Sequence, residues 1–467
     1  MKESDYLCRI TYRIMCQTTY RTMCRIICII LPVFIFGWVS GPAWAADRSA
    51  PAAIPDASVT SAHPAAPVSP VAPSLLTLQQ ARQLALAHNR DLQTLRLNLQ
   101  IAQEKTMEAR SSAYPQISSS ASHKIFDSSP ILPGGDKEYS QADITLEQTL
   151  FHLGIWAGIK AAKHYQQMEE LSAQRYEQTL AFLITDAYLN ILRSQKEISV
   201  LKELEKNTQD HLRDTQNFYN EGIVPKTDLL KTELALSQVQ RDLAASENQQ
   251  QKSWTAFKIL LGVNLDQLYQ LQDAEMPKSS QKELKELQQE ALAKREDRKK
   301  LLAERAYLES LLEAYKSKHY PVISAFGSWD YTGDETAYRD HSAIGGVRVT
   351  LPVFNGFGTS AQVAQGRSQL AQNQIRLRSL QDQIREEVES AWLDIQKSRL
   401  DLETAQKEVA EAEENLRISN ELYKESMATN TDVLDAQTLL AQARNHLNNA
   451  RYDQILAAQR LSLAIGG

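Results

Sequence analysis

The side chains best placed for chemistry are carboxylates beside two short polar breaks in helical pattern: Asp228 at the first break, Asp432 and Asp435 at the second. Residues three apart share a helix face, so Asp432 and Asp435 present their charges together. Helix-start chemistry is the competing use, because an Asp in a first turn complements the N-terminal dipole. That use suits Asp228 and explains Asp435, further in, less well. Other reactive types form no constellation. The nine histidines are scattered without ligand spacing and read as surface or loop residues. Gly356-Phe-Gly358 lies between a strand and a helix, but lacks the Lys-Ser/Thr and remaining glycines of a phosphate loop. No nucleophile, base and orienting acid come together. The sequence predicts no enzyme, no cofactor and no metal site.

The two breaks are copies of each other. Adding 204 to the first carries Tyr219 onto Tyr423, Glu221 onto Glu425, Thr227-Asp228 onto Thr431-Asp432 and Leu230 onto Leu434. Upstream, at an offset of 206, Ala85-Leu86-Ala87 matches Ala291-Leu292-Ala293, Asp91 matches Asp297, and Tyr114-Pro115 matches Tyr320-Pro321. A nearly constant offset along a whole half is a duplication. The chain divides into a first repeat at 75–276 and a second at 277–467, with tips at 222–226 and 426–430.

Before the repeats, basic residues from Lys2 to Arg25 precede an apolar run and Ala43-Trp44-Ala45, a secretory signal over 1–45. A Pro/Ala-rich lead-in at 46–74 lacks core residues. All four cysteines precede residue 29, so the mature chain has no disulfide. Removing the leader's three net positive charges takes the chain from −6 to about −9, which with no basic stripe argues against nucleic acid. No later apolar run is long enough for a membrane helix, so any membrane contact falls to strands.

Each repeat reads helix, strand, strand, long helix, tip, helix. The first helices are expected from Thr77 to about Ser112 and from about Ser280 to Lys318. After each Tyr-Pro the period changes from 3.6 to 2, giving strands at about 116–127 and 139–151, then at about 321–332 and 342–354. Their loops hold Ser128 through Gly135 and Gly333 through Asp340. One face is apolar, with Trp329, Tyr331, Val347 and Val349; the other carries Asp143, Glu147 and Arg348. The following helix repeats apolar residues at steps of 4 and 3 from Ile384 to Leu416, matched in register from Leu180 to Leu201, which is a coiled-coil seam. Gly262 and Gly466 are positioned as C-caps.

Four strands cannot close a barrel alone, since the smallest membrane barrels use about eight. Chains that pool their strands, with their long helices forming a tube, satisfy both patterns. Over about Leu75 to Gly467 the chain resembles the TolC-like outer-membrane efflux proteins. The resemblance is carried by the duplicated half, the Leu150-Phe151 and Val353-Phe354 steps with a following glycine, and Tyr423…Thr431-Asp432-Val-Leu-Asp435-Ala. It implies a mainly α fold with a β-barrel portion: a homotrimeric helical barrel continued by a shared twelve-stranded barrel in outer-membrane lipid. It implies an exit duct for tripartite efflux or type I secretion, docked at its periplasmic tips to an adaptor protein and an inner-membrane pump.

The resemblance makes Asp432 and Asp435 acidic rings that narrow the lumen, attract cations and resist full ionisation. It makes Asp228 and Tyr423 partners in a tip-closing hydrogen bond and Thr227 a second closing position. The arginine expected opposite Thr227 is replaced by Ala428. Gly222, Ile223 and Val224, with Ser426, Met427 and Ala428, become the adaptor-facing tips. The alternative is a periplasmic coiled-coil scaffold or adhesin without a pore, which leaves the alternating strands unexplained.

Overall fold

The computed structural model describes residues 74–126, 138–276, 282–334 and 339–467. The leader expected at 1–45, the lead-in up to residue 73, and the stretches 127–137, 277–281 and 335–338 lie outside the described residues. The elements run β1 (Ser74–Leu76), α1 (Leu78–His88), α2 (Arg90–Ser111), β2 (Gln116–Ile125), β3 (Glu138–Phe151), α3 (Leu153–Asn220) and α4 (Lys226–Leu261). After β4 (Tyr269–Leu271) the order recurs as α5 (Leu284–Lys294), α6 (Glu296–Ser317), β5 (Val322–Asp334), β6 (Arg339–Thr350), α7 (Gly358–Lys424) and α8 (Asn430–Ile465). Among the described residues no helix is long and apolar enough to cross a membrane.

The long helices α3 and α7 have 68 and 67 residues, about 100 Å each at 1.5 Å per residue. Their seam residues are buried where the 4-3 steps put them: Leu180, Ile184, Ile191 and Ile198 on α3, and Ile384, Val388, Ala391, Ser398 and Ala405 on α7. Two cores result. The larger gathers Ala81, Ala85 and Leu92 with Leu180, Ile184, Tyr188 and Phe257; the smaller gathers Leu287, Ala291, Ile384, Val388 and Leu461. Each Leu or Ile buried there contributes about 1.5–3 kcal/mol of transfer free energy.

The single first helix expected in each repeat is in fact two. Thr77 caps α1 with a reciprocal Gln80 contact, but the helix stops at Asn89, whose ψ of 127° is extended. The break is stabilised by that side chain: Oδ1 accepts from Leu92 N at 2.9 Å, while Nδ2 donates to Leu260 O at 2.9 Å. Arg295 breaks the second repeat at the matching place and donates to Ala464 O at 3.4 Å. Both acceptor carbonyls lie two residues before a left-handed glycine cap, Gly262 (φ +74°) or Gly466 (φ +86°).

A second feature was not anticipated. Strands β1 and β4 pair in parallel, starting from the last residue assigned to the lead-in. Tyr188 on α3 pins them, its hydroxyl lying 3.0 Å from Leu76 O and 2.6 Å from Gln272 O.

The other four strands form one antiparallel sheet in the order β2-β3-β5-β6, so β3 and β5 join the two hairpins and β2 and β6 are its edges. Register sorts its faces. Ile144 lies opposite Trp329 and Trp329 opposite Ala343, so these share a face with Leu146, Tyr331, Val347 and Val349. Asp143, Glu147, Asp330 and Arg348 take the other. Among the described residues nothing covers the apolar face: Ile117, Val347 and Val349 are all more than 60% exposed.

Candidate gate at the hairpin tips

The two tips begin alike. In the first, Gly222 takes φ +73° and Ile223 N donates to Phe218 O at 2.8 Å. In the second, Ser426 takes φ +57° and Met427 N donates to Leu422 O at 2.8 Å. This six-to-one bond closes a helix end through a left-handed residue. Gly222, Ile223, Ser426 and Met427 are exposed, and Val224 and Ala428 half-buried.

The tips then diverge. Pro225 starts α4 without a side-chain cap, whereas Thr429 starts α8 with a complete capping box. Asp432 supplies its second half: Oδ2 accepts from Thr429 N at 2.8 Å and from Thr429 Oγ1 at 2.7 Å. Those bonds hold the Asp432 carboxyl below its ordinary pKa. The helix begins at Asn430, the last residue of the tip expected at 426–430, so Asn430 belongs to the helix and not to the polar break. Asp435 is exposed one turn further in. Thr227 is exposed, and Asp228 half-buried with its carboxylate 3.9 Å from Lys231 Nζ.

Tyr423 is buried, with His211 and Phe218 rings at 5.0 and 5.7 Å. Its hydroxyl lies 3.5 Å from Thr215 Oγ1 rather than on Asp228, which acts on it electrostatically. Burial raises its pKa most; the Thr215 hydrogen bond is the next effect and opposes it, and the Asp228 and Asp214 charges add to the rise.

The bonds that join one hairpin to the other centre on Asn430, 1% exposed. His211 Nε2 lies 2.6 Å from Asn430 Oδ1, and Asn430 Nδ2 donates to Asp228 O at 3.1 Å. Thr215 and Thr232, both fully buried, donate to Asn430 Oδ1 at 3.5 and 3.2 Å. Lys231 Nζ donates to Thr431 Oγ1 at 3.3 Å, so a cation does bridge the hairpins, from α4 rather than from position 428. Reading His211 as a surface residue was therefore wrong: burial pushes its pKa down, opposed in part by the Asn430 bond and the Asp214 charge. Its place in the seam was the available signal. His211, Thr215 and Thr208 lie three and four residues apart on α3, polar residues on a face that must be buried.

About 100 Å of paired helix ending in linked tips, joined to an antiparallel sheet whose apolar face is bare, defines the class: a duct wall whose strands enter a membrane. The chain belongs to the Outer membrane efflux protein family, whose pattern matches residues 81–263 and 287–467. It is 24% identical over 404 residues to the outer membrane protein TolC of Salmonella enteritidis, covering 83% of this chain and 82% of that one. Among solved structures, CusC superposes with a TM-score of 0.74 at 17% identity, over 84% of this chain and 92% of its own. VceC of Vibrio cholerae gives 0.73 at 17% identity, over 84% and 96%. The protein is an outer-membrane exit duct for efflux, with a mainly α fold and a β-barrel portion. The families and folds it matches are channels rather than enzymes.

Proposed function

We propose that three copies of this chain pool their four-stranded sheets into a twelve-stranded outer-membrane barrel, and that their helices form a periplasmic tube gated at the tips. The observation that carries this reading is the bare apolar face of a sheet with two free edges. Neighbouring copies cover the edges, and lipid covers the face. Gly222, Ile223 and Val224, with Ser426, Met427 and Ala428, would meet a periplasmic adaptor protein that couples the duct to an inner-membrane pump. Efflux of small solutes and type I secretion of polypeptides both fit such a duct.

At the gate, Asp435 has the free carboxylate, so three copies around an axis give the ring that selects cations. The Asp432 carboxylate is engaged by Thr429, so its first role is to hold the helix start. Asp228, Thr227 and Tyr423 belong to the joint between hairpins. The test is planar-bilayer conductance of the purified protein beside Asp435→Ala and Asp432→Ala. Small cation-selective currents that lose selectivity, or block by multivalent cations, in Asp435→Ala support the gate. Currents unchanged by both substitutions return these residues to helix capping. A soluble monomer without currents would decide for the scaffold.

A further inference from the structure

We propose that the buried joint of His211 and Asn430 is a latch that holds the two hairpins together with a neutral imidazole at its centre, and that charging this buried ring in acid parts the tips. The inference rests on reading the tips as a gate.

Proton accounting fixes the tautomer of the neutral ring. Asn430 Nδ2 is committed to Asp228 O, which turns Oδ1 toward α3 as an acceptor. Thr215 Oγ1 donates to His211 O at 2.9 Å, and Thr232 Oγ1 donates to Asp228 O at 3.0 Å. Each hydroxyl has one proton, shared between that carbonyl and a longer contact to Asn430 Oδ1, at 3.5 Å for Thr215 and 3.2 Å for Thr232. The shortest contact to Oδ1 is from His211 Nε2 at 2.6 Å, and because that oxygen only accepts, Nε2 carries a proton in either charge state. Neutral imidazole then has its lone pair on Nδ1, and a second proton must go there.

That proton is poorly received. His211 is 6% exposed, and the α7 ring against it is the neutral phenol of Tyr423. From α8 it meets the amide of Asn430, a neutral group. From α4 the nearest charge, Asp228, reaches Tyr423 and lies 3.9 Å from Lys231. The one carboxylate that stabilises an imidazolium here is Asp214 on the same helix, and burial outweighs it. The sign follows: a group whose pKa is depressed in the closed state holds the tips above its free value, near 6.5, and releases them as pH falls below it. Between pH 6.5 and the lower closed-state value, the ratio of parted to closed tips rises by up to about tenfold per pH unit.

The experiment places spin labels at Ile223→Cys and Met427→Cys, one on each exposed tip, in the full-length protein purified from membranes. Tip-to-tip distances are measured at pH 7.5 and 5.5. A shift to longer distances at pH 5.5 is expected. In His211→Gln, whose amide donates without titrating, the pH 7.5 distances should persist at both values. Asn430→Asp supplies a second check, because a carboxylate facing the imidazolium holds the latch in acid. Distances that do not move with pH in the parent, or that lengthen equally in both variants, overturn the latch. Conductance of the same samples separates the two readings: tips that part without a change in current uphold the latch and sink the gate.

Discussion

Replacing Arg295 by alanine tests how the second repeat is held at its helix break. The guanidinium is 2% exposed and meets Asp297 twice, Nε at 3.1 Å from Oδ1 and Nη2 at 2.5 Å from Oδ2, and it also pairs with Glu387 on α7. It donates to Ala464 O at the end of α8 as well. Breaking a fully buried pair costs about 3–5 kcal/mol. Here the carboxylates keep 25% and 36% exposure, and Arg175 stays 4.0 Å from Asp297, so water and a second cation take up part of the loss. About 2–3 kcal/mol is expected, most of it from Asp297. The first repeat supplies the control, because Asn89 fills the matching position without any charge. Arg295→Asn can cap Arg298 N and reach Ala464 O as Asn89 does for Leu92 N and Leu260 O, so it should recover about 1 kcal/mol. A membrane oligomer unfolds irreversibly, so the readout is the unfolding rate in detergent at one temperature. Arg295→Ala should unfold up to about 30–150-fold faster if the node is lost before the barrier, with Arg295→Asn between it and the parent. A rate within threefold of the parent, or an Asn variant as fast as the Ala variant, would refute this account of the break.

Two further outcomes can be measured the same way. In Gly262→Ala a Cβ would lie 2.1 Å from His88 O at φ +74°, so contact and backbone strain add, and a loss above about 2 kcal/mol is expected; an unchanged unfolding rate would contradict it. Tyr188→Phe removes the donor shared by Leu76 O and Gln272 O and should cost about 1–2 kcal/mol. Burial pushes that phenol up to about 12. Its contribution is complete below pH 10 and is lost as pH rises from 10 to about 12, so the parent's alkaline loss in that window should be smaller in the Phe variant.

The fold class was legible because its signals are periodic and occur twice. Steps of 4 and 3 from Ile384 to Leu416 describe a buried stripe whatever lies opposite, and alternation from Ile323 to Tyr331 describes a two-faced strand. The break at Asn89 was not legible. Nothing local forbids a helix through Leu86-Ala87-His88-Asn89, and the bond that ends it runs to Leu260, 171 residues away. The pair β1–β4 was hidden likewise, being three residues long with a partner almost 200 positions on. At the tips, residue types that mark helix starts drew attention to Thr431 and Asp432. The cap itself is Thr429, and the polar centre is Asn430 with His211, which meet only because four helices converge there.

That centre is one-sided, and the duplication makes the asymmetry measurable by position. His211, Thr215 and Thr232 face Asn430; 204 residues on stand Asn415, Ser419 and Ala436, and the position matching Asn430 is Lys226. The other junction, between the second hairpin of one copy and the first hairpin of the next, would use this second set in the proposed trimer. At the place of the threonine it has Ala436, already buried within its own chain, and in place of the amide hub an ammonium. An exposed Lys226 has little reason to enter a dry joint, because burying its charge without a carboxylate costs more than any bond it forms there. In the proposed trimer the two junctions would therefore differ in strength. The joint within a copy is a packed polar core, whereas Asn415 and Lys226 of the second set are exposed. In the proposed trimer the copies would then part first, with each pair of hairpins moving as a unit until the inner latch is also released.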